Sequence, residues 1–500
     1  MEKTYQELKT RLMEIQDLRS ASAVLGWDQM TYMPPGGAEA RGRQMATLQR
    51  LAHEKLTDAA VGKLLDALRP YEEGLPYESD EASLIRVARR VFERATRVPS
   101  SFVAELNNHL AQSLQAWTVA RPANDFAAVR PHLERTLELS RQYSEYFEYE
   151  HIADPLISEA DYGMKAATIR QTFAELREKM VPIVRAITEQ PPADDSCLYR
   201  HYPEKAQWDF ALEMVQAYGY DMERGRQDKA PHPFTTSFSV GDVRITTRVR
   251  ENHLNDLLFS TLHEAGHGMY EQGVDPQLDG TLLAEGTSAG MHESQSRLWE
   301  NLVGRSRGCW EHFYPKLQAT FPDALQDVSL DAFYRAINKV KKSLIRTEAD
   351  EVTYNLHVML RFDFELAMLE GTLAVKDLPE AWRARFQADL GIEPPDDRDG
   401  VMQDVHWFFG PVGGMFQGYT LGNILGAQLY ETALQAHPEI TQEMTQGRFG
   451  TLHTWLQENI YRHGTKFTAE ELMLRTCGQP MNVEPYIRYL RCKYGELYEL

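Results

Sequence analysis

The chain has 500 residues, 43% hydrophobic and 25% charged, ordinary globular values that exclude wholesale disorder and a fibrous repeat. Its 53 Lys and Arg stand against 73 Asp and Glu, a net charge of -20, which argues against nucleic acid or a membrane surface as partner. Four scattered cysteines (Cys197, Cys309, Cys477, Cys492) form no CxxC pair, so neither a disulfide framework nor a cysteine metal site is expected. The N-terminus shows no signal-peptide apolar region, and no uninterrupted apolar run reaches about 18 residues. These features predict a soluble, cytoplasmic protein.

Along the chain, helical periodicity dominates. Apolar residues recur at three- and four-residue steps over 1–19, then at Phe102, Val103, Leu106, Leu110, Leu114 and Trp117, and again over 134–150, 166–188 and 204–218. The same pattern returns over 331–370 and 484–500. Loop-like breakers fall at 70–80, 191–196 and 393–400, none long enough for an interdomain linker. A single catalytic unit over residues 1–500 is therefore expected, mainly α. One segment differs: residues 234–249 are rich in Thr, Val, Ile and Phe, and Gly241-Asp242 between two alternating runs predicts a hairpin.

Just beyond that hairpin lies His263-Glu264-Ala265-Gly266-His267, an HExxH sequence. Histidines at i and i+4 share one helix face, so both imidazoles can reach one zinc ion, and the glutamate between them can take a proton from activated water. Leu254, Leu258, Leu262, Ala265 and Met269 fall within about 80° of one another on the helical wheel, and the two histidines point away from that stripe. Gly266 weakens the helix, which is tolerable if close approach matters at this turn. A third histidine six residues on is missing: Gly273 stands there, and Tyr270 replaces the glycine that would precede it, against a Met-turn protease. Glu293 is the better third ligand. It lies 26 residues beyond His267 on a second predicted helix, where Met291, Leu298 and Leu302 mark the buried side and Glu293, Arg297 and Glu300 the other. Two histidines and a glutamate leave a fourth position open, the catalytic arrangement.

With these residues in view, the sequence resembles a known family. Residues 263–267 and 292–297 are similar to the HExxH and HESxSR motifs of the Taq-type carboxypeptidases, metal-dependent enzymes that trim peptide C-termini. Residues 242–246 resemble that family's DxRxT, 345–350 its IRxxAD, 400–407 its GxxQDxHW and 232–235 its HPFT. Residues 25–29 and 32–37 are similar as well, so the likeness spans nearly the whole chain. One departure stands out: the family commonly has Phe-Pro-Thr-Tyr where this chain has Phe416-Gln417-Gly418-Tyr419.

The resemblance implies a mostly helical, two-lobed body around a deep substrate groove, a homodimer, and one zinc ion per chain, with cobalt as a substitute. Glu264 is then the general base, and Tyr419 and His406 match the residues that stabilise the oxyanion. A carboxypeptidase must also hold the terminal carboxylate, and arginine's planar fork suits that task. Arg346 is the first choice, with Glu348 or Asp350 as partners under the plainer salt-bridge reading. Arg244 and Arg248 are second. An edge strand of the hairpin is placed to pair with extended substrate. Glu271 and Asp279 are conceivable supports for a histidine ligand, whereas Trp27 and Asp28 read as helix packing. The nearest alternative is a helical zinc endo-oligopeptidase. A non-catalytic peptide-binding scaffold is disfavoured by the intact Glu264, and a nucleotide or redox enzyme by the lack of a glycine-rich phosphate loop.

Overall fold

The computed structural model describes residues 1–500. The chain is mainly helical, with one small sheet beside the HExxH helix. No helix is long and apolar enough to cross a membrane. Several predicted elements have the expected bounds: helices run over Ala166–Thr188, Glu204–Tyr218 and Glu484–Tyr498. The first helix extends past its predicted end, over Glu2–Thr31.

Other expectations need correction. The 134–150 stripe belongs to a helix over Phe126–Ser144, and residues 70–80 open with a short helix, Arg69–Glu73, that has proline in its first turn. The 331–370 stripe is two helices, Leu330–Ile337 and Tyr354–Glu370. Local side-chain bonds break it. The Asn338 amide donates to the carbonyls of Tyr334 (3.0 Å) and Arg305 (3.1 Å), closing the first helix. The Asp350 carboxylate accepts from the backbone N–H groups of Lys341, Val352 and Thr353 and from the Thr353 hydroxyl. Such bonds compete with the helical ladder, and apolar periodicity does not register them. The resulting loop carries Arg346.

Three strands form the sheet, β1 (Gly225–Lys229), β2 (Thr235–Ser239) and β3 (Asp242–Thr247). Their order is β1-β3-β2, with β1 parallel and β2 antiparallel to β3. The predicted hairpin is β2 and β3. Strand β1 is not among the predicted elements, because Gly-Arg-Gln-Asp-Lys has no apolar alternation to signal it.

The apolar core falls into two clusters. The larger holds 99 buried residues, all beyond Pro99, so most of the helical chain packs on it. The smaller joins the N-terminal helices, and its only members beyond the first hundred residues are Val240, Val274, Leu278, Leu282 and Leu283. These come from the β2–β3 turn and the stretch after the HExxH helix. The functional helices therefore lie where the two clusters meet.

Candidate metal centre

The HExxH helix, Leu254–Gln272, is buried along nearly all its faces. The side chains of His263 and His267 are only 19% and 17% exposed, so they are largely shielded from solvent. The next helix, Ala289–Arg297, begins where the Ser288 hydroxyl accepts from Met291 N (3.1 Å) and the Asp161 carboxylate from Gly290 N (2.7 Å). Its ladder then widens into a π-type turn over Leu298–Val303, which carries Glu300.

Glycine brings this second helix close on two sides. A Cβ on Gly266 would stand 2.6 Å from Gln295 O and from Ser296 Cα. On the far side lies the helix Gln417–Ala436, where a Cβ on Gly422 would stand 2.6 Å from Glu293 Cγ, and one on Gly426 2.8 Å from Ser294 O. The glutamate helix is thus clamped between two others at backbone distance, which sets the reach of Glu293.

His263 Nε2 lies 3.7 Å from Glu293 Oε2, and His267 Nε2 lies 3.4 Å from the same oxygen. One ligand atom from each of the three residues falls within 4.8 Å of the others. The remaining ring nitrogens are engaged: His263 Nδ1 with Glu300 Oε2 (2.9 Å) and His267 Nδ1 with His292 Nδ1 (2.7 Å). His292 Nε2 in turn meets Glu271 Oε1 (2.6 Å), which also accepts from Gly286 N. With each Nδ1 protonated and donating outward, both Nε2 lone pairs converge on Glu293. Arg297 Nε donates to Glu293 Oε1 (2.7 Å), leaving Oε2 toward the histidines. Burial alone would raise the Glu293 carboxyl, but Arg297 and the histidines hold it well below its ordinary value. Burial likewise pushes His267 down to about 4, toward the neutral imidazole a metal requires. Two imidazoles and one carboxylate with aligned lone pairs fit a single divalent ion of the zinc or cobalt type.

The supports give a prediction. Glu300→Gln and His292→Ala each leave all three ligands in place yet should weaken metal binding about 10- to 100-fold, read by competition against a chromophoric chelator. Unchanged affinity in both variants would mean that these hydrogen bonds do not orient the ligands.

Glu264 is buried beside this group. Its Oε2 accepts from Thr235 Oγ1 at 2.6 Å, and burial raises its carboxyl above the ordinary value, with Glu293 and Glu300 adding to the effect.

A second cluster faces the first. Arg346 is buried, with Nη2 at 2.9 Å and Nε at 3.1 Å from Asp404, and Nη1 donates to the Tyr354 hydroxyl (2.8 Å). Asp404, rather than Glu348 or Asp350, is therefore its partner. Arg361, fully buried, shares the same carboxylate at 2.5 Å. The Arg346 guanidinium lies 5.1 Å from the Tyr419 ring, and the Tyr419 hydroxyl is 3.4 Å from His406 Nε2. Arg297 stacks over Tyr354 at 4.6 Å, joining this cluster to the metal ligands. Gln417 occupies the first helical position, where a missing proline N–H would go unnoticed, and its amide donates to Asp161 and to Gly414 O. The local turn is thus held without the proline.

The other expected residues lie apart. Arg244 pairs with Asp242 (2.7 Å) and stacks over Trp27, whereas Arg248 pairs with Asp256 (2.7 Å). Asp279 accepts from Val240 N and touches no histidine; Glu271 reaches His267 only through His292. Trp27 and Asp28 serve packing: Asp28 pairs with Arg41 in the following helix. The roles of Glu300, His292, Thr235, Tyr354 and Arg361 are ones that sequence reasoning missed. Glu300 was findable, since it lies seven residues past Glu293 on one face; Arg361 carries no such signal.

A profile of the family described as carboxypeptidase Taq (M32) metallopeptidase matches residues 7–494. Thermostable carboxypeptidase 1 of Thermus thermophilus is 40% identical over 99% of both chains, and carboxypeptidase 1 of Bacillus subtilis 35% identical over 98% and 97%. Among solved structures, an M32 carboxypeptidase from Deinococcus radiodurans R1 superposes with a TM-score of 0.97 at 49% identity, covering both chains fully. A Pyrococcus furiosus carboxypeptidase superposes at 0.95 with 33% identity, over 98% and 99%.

Proposed function

We propose a mechanism from one premise: this chain belongs to the carboxypeptidase Taq (M32) metallopeptidase family and is a metallocarboxypeptidase. Its substrates are peptides. Zinc, replaceable by cobalt, is the ion we assign to His263, His267 and Glu293, one per chain, where it supplies Lewis-acid polarisation and water acidified to near neutral pH. Glu264 is the general base. Thr235 occupies its Oε2, so Oε1 is left to take the proton of the attacking water and deliver it to the departing amine. Burial pushes the Tyr419 hydroxyl up to about 12, so it stays protonated and donates to the oxyanion of the tetrahedral intermediate. His406, pushed down to about 4 by burial, stays neutral beside it.

The observation that carries the exopeptidase reading is a charge imbalance. Two buried guanidiniums, Arg346 and Arg361, share the single carboxylate of Asp404. A buried charge left without a partner is costly, and a substrate carboxylate would complete the neutralisation. Asp404 takes two of the five Arg346 donors and Tyr354 one, which leaves two for a ligand. Arg248 also shares its carboxylate, Asp256, with Arg250, but solvent reaches both of those guanidiniums, and Arg244 has Asp242 to itself, so Arg244 and Arg248 are the weaker choice. β2 is an edge strand of the sheet, and we assign its unpaired ladder side to an extended peptide backbone. A groove between two lobes, a single catalytic unit, a homodimer and broad side-chain tolerance belong to the same reading. The endo-oligopeptidase alternative gives the arginine pair no task.

Arg346→Lys tests this reading while keeping the charge beside Asp404. KM for an unblocked peptide should rise about 100-fold with a smaller change in kcat. Preference for the free acid over its C-terminal amide should fall by at least about tenfold. Unaltered KM and unaltered preference would remove Arg346 from the carboxylate site.

A further inference from the structure

We propose that Thr235 is a positioning residue for the general base, locking the Glu264 carboxylate through the substrate-side strand. The inference rests on the reading of Glu264 as that base. Thr235 is the first residue of β2, and its Oγ1 lies 2.6 Å from Glu264 Oε2 and 2.9 Å from the Glu264 carbonyl oxygen. The hydroxyl carries one proton, which both oxygens can accept; the shorter contact is to the carboxylate, and that bond restricts the rotamer of a glutamate with three rotatable bonds.

Thr235 is itself held in place. Phe234 N donates to Thr246 Oγ1 (2.8 Å), Thr246 Oγ1 donates to Phe234 O (3.0 Å), and Thr246 N also donates to that carbonyl (2.9 Å). Next along β3, the Thr247 hydroxyl meets Ser260 Oγ (2.8 Å) on the HExxH helix. Hydrogen bonds and the covalent chain between them close a circuit from the helix to β3, to the start of β2 and back to Glu264. It gives Phe234, Thr235 and Thr246, which supply no metal ligand, a part in holding the reacting centre. Because β2 is also an edge strand of the sheet, the same residue would tie the register of a peptide paired with it to the orientation of the base.

The test is a set of variants of the metal-loaded protein assayed on an unblocked peptide. Thr235→Val keeps shape and β-branching and removes the hydroxyl. It should lower kcat about 10- to 100-fold with KM within about twofold, and leave the metal affinity, read by chelator competition, at the wild-type value. Thr235→Ala should show the same kcat loss, and Thr235→Ser should recover most of it. Three results would overturn the inference: wild-type kcat in Thr235→Val and Thr235→Ala, Thr235→Ser as slow as Thr235→Val, or a loss that appears in metal affinity. If Glu264→Gln itself keeps wild-type kcat, the reading of the base fails; if only the Thr235 variants do, this inference fails alone.

Discussion

Replacing Glu264 by Gln should lower kcat about 10³- to 10⁴-fold and leave the metal in place. The amide has the shape of the carboxylate and still offers Thr235 an oxygen acceptor, so the local structure has little reason to move. None of the ligands is touched, because the converging atoms belong to His263, His267 and Glu293. What disappears is the ability to take a proton at Oε1. The buried carboxylate, raised above its ordinary value by desolvation, is also unfavourable for folding, so the variant should melt no lower than the parent. Turnover near the parental rate in a protein with full metal content would assign the proton to another group.

Gly266→Ala should damage the site from outside it. The new methyl would meet the backbone of the glutamate helix at 2.6 Å, and neither Gln295 O nor Ser296 Cα is the end of a flexible side chain that can swing away. The two helices must part, and Glu293 moves with its helix. Such overpacking costs about 3 kcal/mol or more, so we expect a lower Tm together with metal affinity reduced at least about tenfold. Gly422→Ala presses on the same helix from the opposite side, against Glu293 Cβ and Cγ, and should behave alike. Gly42 is the control. It lies inside the helix Ala38–Leu56, and a Cβ added there would meet nothing within 4 Å, so Gly42→Ala should be neutral or stabilising by up to about 1 kcal/mol. Equal Tm and equal metal affinity in Gly266→Ala and Gly42→Ala would contradict close helix approach as the determinant of the site.

The metal ligands were legible because two local rules point to them. The i, i+4 spacing fixes both histidines on one face, and the polar run His292–Arg297 on the next helix marks Glu293. The oddity of Gly266 within a helix also carried meaning, since the approach that tolerates it is present. The arginine cluster was only half legible. Arg346 stands out in a motif-like stretch, but its partner Asp404 lies 58 residues away and its neighbour Arg361 sits inside an apolar helix. Long-range pairing of buried charges leaves no periodic trace. The same holds for Thr235, whose hydroxyl looks like any β-strand threonine until the HExxH helix is laid against it. Strand β1 escaped because the residues it buries, Gln227 and Asp228, are polar, so it shows no apolar alternation.

One measurement bears most directly on a metal-dependent exopeptidase built from these residues: mass spectrometry of an unblocked peptide and its C-terminal amide, each incubated with metal-loaded and with chelated protein. We expect single residues to be lost in sequence from the free C-terminus, no product from the amide, and no product after chelation. Internal cleavage of both peptides at equal rates would contradict the carboxylate-binding role of Arg346 and Arg361, and cleavage that survives complete removal of the metal would contradict the His263, His267 and Glu293 centre.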